Sequence, residues 1–161
     1  TCRCHSTRGG LFLMYLLDTN VVSELRKNHR AAPSVMRWAR PIPASSLYLS
    51  AITVLELETG ILRLERHDPA QSKLLRTWLE HHVLPAFAGR ILPIDAAVAS
   101  KCARLHVPDP RSEYDALIAA TALVHGMTVV TRNTADFAGS GVALINPWIS
   151  QLNEDRAPYR V

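Results

Sequence analysis

The sequence predicts an α/β domain of three layers, a parallel sheet of about five short strands covered by helices on both faces. Three observations carry that expectation. The β-forming apolar runs are short and do not alternate with polar residues, as strands buried on both faces require. Segments of helical character, several opened by a cap residue, separate them, and strands alternating with helices assemble as a parallel sheet. The length of 161 residues, 48% of them hydrophobic, suits one domain with its own core.

Each element has a local reason. Residues 14–17 are an apolar run that ends in Asp18, the first strand. A helix follows over 21–27, with Asn20 or Thr19 near its cap. Pro33 suits the first turn of a helix through Arg40, and Pro41-Ile42-Pro43 ends it. Leu47–Ser50 is the second strand, favoured by Tyr48 and Leu49. Residues 53–66 form a helix with a wide apolar face of Val54, Leu55, Leu57, Ile61 and Leu62. Asp68-Pro69 caps and opens a helix to about Phe87. Residues 91–94 are a third strand, interrupted by Pro93. Asp95 caps a helix over 96–106, a loop with two prolines follows, and a helix over 112–124 stops at Gly126. Residues 127–130 and 142–145 supply the fourth and fifth strands. The domain is expected over 14–150. Residues 1–13 read as an upstream extension, with Met14 the natural start, and 151–161 as a polar, loosely held tail.

Composition narrows the partners. Lys and Arg number 18 against 14 Asp and Glu, a net charge of +4, and half of that excess comes from Arg3 and Arg8. Such a balance permits an anionic partner without requiring one. Three cysteines, Cys2, Cys4 and Cys102, make no disulfide framework and suit a reducing compartment. Cys2, Cys4 and His5 at a terminus, with no second ligand pair at finger spacing, make a poor zinc site. The apolar runs 11–17 and 116–124 are shorter than the roughly 18 residues a membrane span needs. Residues 11–17 follow two arginines, yet no small-residue cleavage site comes after them, so a signal peptide is not expected and a cytoplasmic protein is.

Topology gathers the chemistry. In parallel sheets the ligand crevice lies beyond the carboxyl ends of the strands. Asp18 ends the first strand. Glu56 lies in the first turn after the second strand, and Asp115 in the first turn of the helix that leads into the fourth. Asp136 follows the fourth strand in the loop Thr131-Arg132-Asn133-Thr134-Ala135-Asp136. Four carboxylates distant in sequence therefore meet at one edge. Clustered carboxylates repel and raise one another's pKa. A divalent ion removes the conflict, and oxygen ligands suit Mg²⁺ or Mn²⁺ rather than zinc. The chemistry implied is metal-assisted phosphodiester hydrolysis, with Asn20, Thr131 and Asn133 adding neutral oxygens or orienting a water.

Plainer readings exist for each group. Ser112-x-x-Asp115 and Thr53-x-x-Glu56 have the form of capping boxes, and first-turn acids suit a helix dipole. Asp18, after a buried strand, has no such excuse. Asp95 reads as an ordinary cap, and Glu24, Glu58 and Asp109 as solvated. Ala119, Ala120, Ala122 and Gly60 read as positions of close helix packing. Arg26, Lys27, Arg111 and Arg132 are candidate phosphate contacts, Arg132 foremost because it adjoins the acids. His81, His82 and His106 read as structural or surface. Trp38, Trp78 and Trp148 read as core or interface, and Val83, Leu84 and Phe87 as a possible dimer surface.

The segments Leu16-Leu17-Asp18-Thr19-Asn20, Ile52-Thr53-Val54-Leu55-Glu56, Asp115-Ala116-Leu117-Ile118-Ala119-Ala120-Thr121-Ala122 and Thr131-Arg132-Asn133-Thr134-Ala135-Asp136-Phe137 carry a family likeness in their order and spacing. The chain resembles the PIN-domain ribonucleases, in particular the VapC-type toxins of toxin–antitoxin modules and their FitB-like branch. The resemblance spans about 14–148. It implies the three-layer PIN fold and an endoribonuclease using Mg²⁺ or Mn²⁺. It places the catalytic acids at Asp18, Glu56, Asp115 and Asp136, metal ligation at Asp18 and Asp115, and support at Thr19, Asn20, Thr131 and Asn133. It also implies a homodimer and a VapB-like antitoxin. Two other classes compete. A haloacid dehalogenase-type phosphatase needs an acid two residues after the first, where this chain has Asn20. A silent RNA- or partner-binding module would tolerate loss of an acid, and none is missing.

Overall fold

The computed structural model describes residues 12–149. The tail, Cys2, Cys4, His5 and nearly all of the expected extension lie outside them. The strands are β1 (Tyr15–Leu17), β2 (Leu47–Ser50), β3 (Ile91–Leu92), β4 (Thr128–Val130) and β5 (Leu144–Ile145). The helices are α1 (Thr19–Leu25), α2 (Pro33–Ala39), α3 (Ala51–Glu65), α4 (Pro69–Trp78), α5 (Leu84–Ala86), α6 (Ala96–Leu105) and α7 (Glu113–His125). All strand pairs are parallel, in the order β3-β2-β1-β4-β5. The expected three-layer α/β domain is therefore present. Its edge strands are only two residues long, which limits unwanted pairing.

The core follows from the pleat. Leu16 and Leu17 are both buried but face opposite ways, as do Val129 and Val130. Leu17, Leu49 and Val130 pack with Val21 and Val22 of α1 and Leu57 and Ile61 of α3. Leu16 and Val129 pack with Ile118, Ala119 and Ala122 of α7 and with Phe137. Ala116 and Ala120 close onto Val98 and Cys102 of α6, so the small residues of α7 do allow the close approach expected of them. Cys102 is a buried free thiol.

Capping explains most helix starts. Asp95 Oδ1 accepts from the Val98 N–H (2.9 Å) and Asp68 Oδ1 from the Gln71 N–H (3.1 Å), both as expected. Gly126 ends α7 at φ 66°, a left-handed conformation suited to glycine. Two starts differ from expectation. Helix α1 begins at Thr19 with Asp18 as its cap, so the site acid doubles as a cap, a role the sequence did not suggest. Helix α3 begins at Ala51 with Ser50 as its cap, accepting from the Ile52 N–H (3.1 Å). Thr53 is thus not a cap; its hydroxyl donates to the Leu17 carbonyl (3.4 Å).

The expected long helix 69–87 is also interrupted. A π turn at Leu79–Val83 separates α4 from α5, and the Leu84 N–H donates to the Leu79 carbonyl. Pro85 is the physical reason. It has no N–H to offer the His81 carbonyl and its ring would crowd that group, which a wider turn relieves. Val83 is buried in the core, so it is not available to a dimer surface. Among the described residues no helix is long and apolar enough to cross a membrane.

Candidate active site

The strand order reverses between β1 and β4, and a parallel sheet opens a crevice at such a switch point. Two backbone bonds extend the ladders there: the Asp18 N–H donates to Val130 O and the Thr131 N–H to Ile145 O, each at 2.9 Å. Asp18 and Thr131 therefore stand side by side just past the ends of adjacent strands. The Thr131 hydroxyl donates to Asp18 Oδ2 (2.7 Å). Asn20 Nδ2 donates to the same oxygen (3.1 Å) and lies 3.3 Å from Thr131 Oγ1. The Thr19 N–H holds the other oxygen, Oδ1, at 2.8 Å. Asn20 Oδ1 in turn accepts from the Arg132 N–H (3.2 Å), and the Asn133 N–H donates to Thr131 Oγ1 (3.0 Å). One carboxylate is thus fixed by a polar network that joins the ends of β1 and β4.

Glu56 reaches this network from α3. The Thr19 hydroxyl donates to Glu56 Oε1 (3.0 Å). Because α3 starts at Ala51, Glu56 sits in its second turn rather than its first, and its carboxylate is not spent on a capping box. Asp115 lies in the first turn of α7, where Ser112 is the cap residue but makes no capping bond through its side chain. Asp136 lies in a short 3₁₀ turn (Thr134–Phe137) anchored by the buried Phe137.

The electrostatics tie the four acids together. Burial pushes the Asp18 carboxyl above its ordinary range, against the lowering effect of Thr131, Thr19 and Asn20, and the Asp136 charge pushes the same way. Burial also raises Glu56, aided by the charges of Asp18 and Asp115. Asp115 is raised by burial first, with Ser112 opposing and Asp136 and Asp18 adding to the rise. Among the described residues the ion pairs involve Lys27–Glu24, Arg76–Glu58 and Arg76–Glu80; no cation pairs with the four acids.

That uncompensated negative charge is the feature a divalent cation fits. Among the described residues no three His, Cys, Asp or Glu side chains already converge closely enough to enclose an ion. Mg²⁺ does not need such an enclosure, since it keeps several waters and takes one or two carboxylates directly. The donor set is all oxygen, which suits a hard divalent cation.

Other expected roles are redistributed. Arg111 is committed to structure: Nε donates to the Leu105 carbonyl (3.1 Å) and Nη1 to the Ala138 carbonyl (2.6 Å). It ties the loop before α7 to the loop after Asp136. Its backbone N–H donates to His106 Nδ1 (3.1 Å), which gives that histidine a structural role. Glu24 is nearly buried rather than solvated, accepting from Lys27 Nζ and from the Ala32 N–H (2.8 Å). Gly60 is not a packing contact, since a Cβ there would meet nothing within 4 Å. Arg132 is exposed, with its guanidinium 5.4 Å from the centre of the Trp148 ring. Asn146 was not singled out in the sequence. Its Nδ2 donates to the Arg132 carbonyl (3.2 Å) and its Oδ1 accepts from the Trp148 N–H (3.0 Å). The Asn146-Pro147 pair is a turn signal that pointed to it. An acid two residues after Asp18, as the phosphatase chemistry demands, is absent; Asn20 is a strut of the network instead.

The chain is similar to known proteins in sequence and fold. The PIN domain profile matches residues 15–138. A VapC ribonuclease, Y4jK, of Sinorhizobium fredii is 42% identical over 144 residues, covering 84% of this chain and 98% of that protein. The crystal structure of FitAcB from Neisseria gonorrhoeae superposes with a TM-score of 0.76 at 40% identity, over 84% of this chain and 99% of that one. A toxin–antitoxin complex from Klebsiella pneumoniae superposes with a TM-score of 0.60 at 27% identity, over 83% of this chain and 97% of that one. With the profile matched over most of its length and the strand order and acid edge in place, the chain belongs to the PIN-domain family.

Proposed function

We propose that this protein is a metal-dependent endoribonuclease that acts as the toxin of a toxin–antitoxin pair. The observation that carries the reading is the gathering of Asp18, Glu56, Asp115 and Asp136 from four separate elements, with no cation paired to them among the described residues. The likeness to a VapC ribonuclease and to a toxin–antitoxin complex supports it. The partners that follow are RNA, a VapB-like antitoxin and a second copy of the chain, in the cytoplasm. The working domain is 14–150, with 1–13 outside it.

Asp18 and Asp115 are the residues that would hold Mg²⁺ or Mn²⁺, with Glu56 and Asp136 acting on waters around it. When bound, such an ion neutralises charge on the phosphodiester and makes a nearby water more acidic. The protein's own part is positioning. Thr131 and Asn20 hold Asp18 Oδ2 while the Thr19 N–H holds Oδ1, so the carboxylate cannot rotate freely. The Thr19 hydroxyl orients Glu56 through one oxygen. Glu56, its proton affinity raised by burial, is suited to take a proton from the attacking water. Asn133 steadies Thr131 through its backbone and opens the turn that carries Asp136. Arg132, on the Thr131 side of the acids, contacts an RNA phosphate.

The direct test is incubation of total bacterial RNA with the purified, partner-free protein in Mg²⁺ or Mn²⁺, against EDTA and an Asp115→Asn control. Discrete fragments that need the ion and vanish in the control are expected. Intact RNA in every lane, from folded protein, would overturn the reading in favour of a silent binding module.

A further inference from the structure

A groove runs from Glu56 and Thr19 along one face of α1. Thr19, Ser23 and Arg26 line it, spaced i, i+4, i+7 on the helix. Glu56 and Gly60, one turn apart on α3, lie on its other side beside the apolar Leu57, Ile61 and Leu64, and Leu75 and Trp78 of α4 complete it. The cavity measures about 340 Å³. It spans roughly 10 Å from Thr19 to Arg26 at 1.5 Å of rise per residue.

Two features of this groove lack a structural reason. The Arg26 guanidinium lies 5.7 Å from the centre of the Trp78 ring and joins no ion pair among the described residues. An arginine supported on an aromatic face keeps its hydrogen-bonding edge free while losing little freedom on binding. Gly60 lies in the interior of α3, where glycine is less favourable than alanine. A Cβ there would meet nothing within 4 Å, so no packing contact demands the glycine. The missing side chain leaves the groove wall open beside Glu56.

We propose that Arg26, supported by Trp78, anchors an RNA phosphate on the Glu56 side of the acid cluster, and that the strand lies over Gly60 to reach it. The inference rests on the nuclease reading and adds a substrate path to it. Continuity with Glu56 and Thr19 favours RNA as the occupant, because a strand cut at the acids has to leave them on both sides. Trp78 serves as support for the arginine rather than as a platform for a base, since the guanidinium already covers its ring. Arg132 over Trp148 repeats the same pairing on the Thr131 side.

The test compares full-length wild type with Arg26→Ala, Arg26→Lys and Gly60→Leu. Cleavage kinetics are followed on a short single-stranded RNA taken from the fragments that the wild type produces, or on a mixed-sequence oligomer where it produces none. Binding of the same RNA is read by fluorescence anisotropy across a salt series. Arg26→Ala is expected to raise KM roughly tenfold, the value of one charge-assisted contact, with kcat within about twofold. Its salt slope should fall by about 0.7, one phosphate on a single strand. Arg26→Lys should recover part of the loss. Gly60→Leu should keep or raise the melting temperature and weaken binding by blocking the path. Unchanged KM and salt slope in Arg26→Ala, with the wild type active, would overturn the inference alone and leave the groove to a protein partner. RNA neither bound nor cut by the wild type would overturn the nuclease reading and this inference with it.

Discussion

Asp18 and Asp115 are both site acids, yet replacing them should have different consequences. Asp18 caps α1 and accepts three hydrogen bonds. In Asp18→Asn one of those donors would face the new amide, so a stability loss of about 1–2 kcal/mol is expected together with loss of cleavage. Asp115 caps no helix, and burial with the nearby Asp136 and Asp18 charges outweighs the Ser112 hydrogen bond and disfavours its charge where it stands. Asp115→Asn should reduce cleavage at least about 100-fold while leaving the metal-free melting temperature equal or higher. The sign with pH follows. Asp18, Glu56 and Asp115 each hold a proton more tightly in the folded chain than in the unfolded one. Their contribution to stability is therefore full below the ordinary carboxylate range and is lost as pH rises through the raised values. Glu24, held down first by Lys27 and then by the Ala32 N–H, works the other way, losing its contribution as pH falls. The difference in melting temperature between Asp115→Asn and wild type isolates the cluster: it should be near zero at low pH and grow in the variant's favour toward neutrality. A variant less stable than wild type at neutral pH would make Asp115 a structural group.

At the scale of elements, the acids depend on how loops are fastened. Arg111 joins the loop before α7, which carries Asp115, to the loop after the turn that carries Asp136. Arg111→Ala should cost about 1–3 kcal/mol and lower cleavage by loosening both acids, although it touches neither. Gly139 marks the same junction. Its φ is 74° and an added Cβ would stand 2.9 Å from Arg111 Nη2, so Gly139→Ala should destabilise by about 1 kcal/mol or more. Thermal melts of the two variants check both statements; unchanged melting temperatures would remove Arg111 from the framework of the site. Much of this level was legible in the sequence. The five strands, the Asp68 and Asp95 caps and the stop at Gly126 were expected from short-range rules. The start of α1, the π turn and the tether made by Arg111 were not. Each is decided by a contact or a clash that local propensity does not encode: Asp18 with the Thr19 N–H, Pro85 with the His81 carbonyl, and Arg111 with a carbonyl 27 residues away.

For the whole molecule, strand order does the work of assembly. Placing β1 between β2 and β4 brings the ends of strands more than a hundred residues apart into contact. Asp18 and Thr131 can then share a hydrogen bond across 113 positions of chain. The acid edge was legible because βα topology alone sends those positions to the carboxyl end of the sheet. The groove beside it was not, since it depends on where Trp78 and Gly60 lie after α3 and α4 have packed. Removal of residues 1–13 should leave cleavage unchanged, since the acids and their hydrogen-bond partners all lie from Asp18 onward; lost activity in the truncated protein would bring that segment into the working domain. If the four acids form one cation site, a Mn²⁺ titration of the partner-free protein followed by thermal melting will register it, with Asp115→Asn alongside. The wild type should gain melting temperature as the ion binds the folded state, and the variant should gain distinctly less. Equal gains in both proteins, or none in either, would mean that the four acids do not form a cation site.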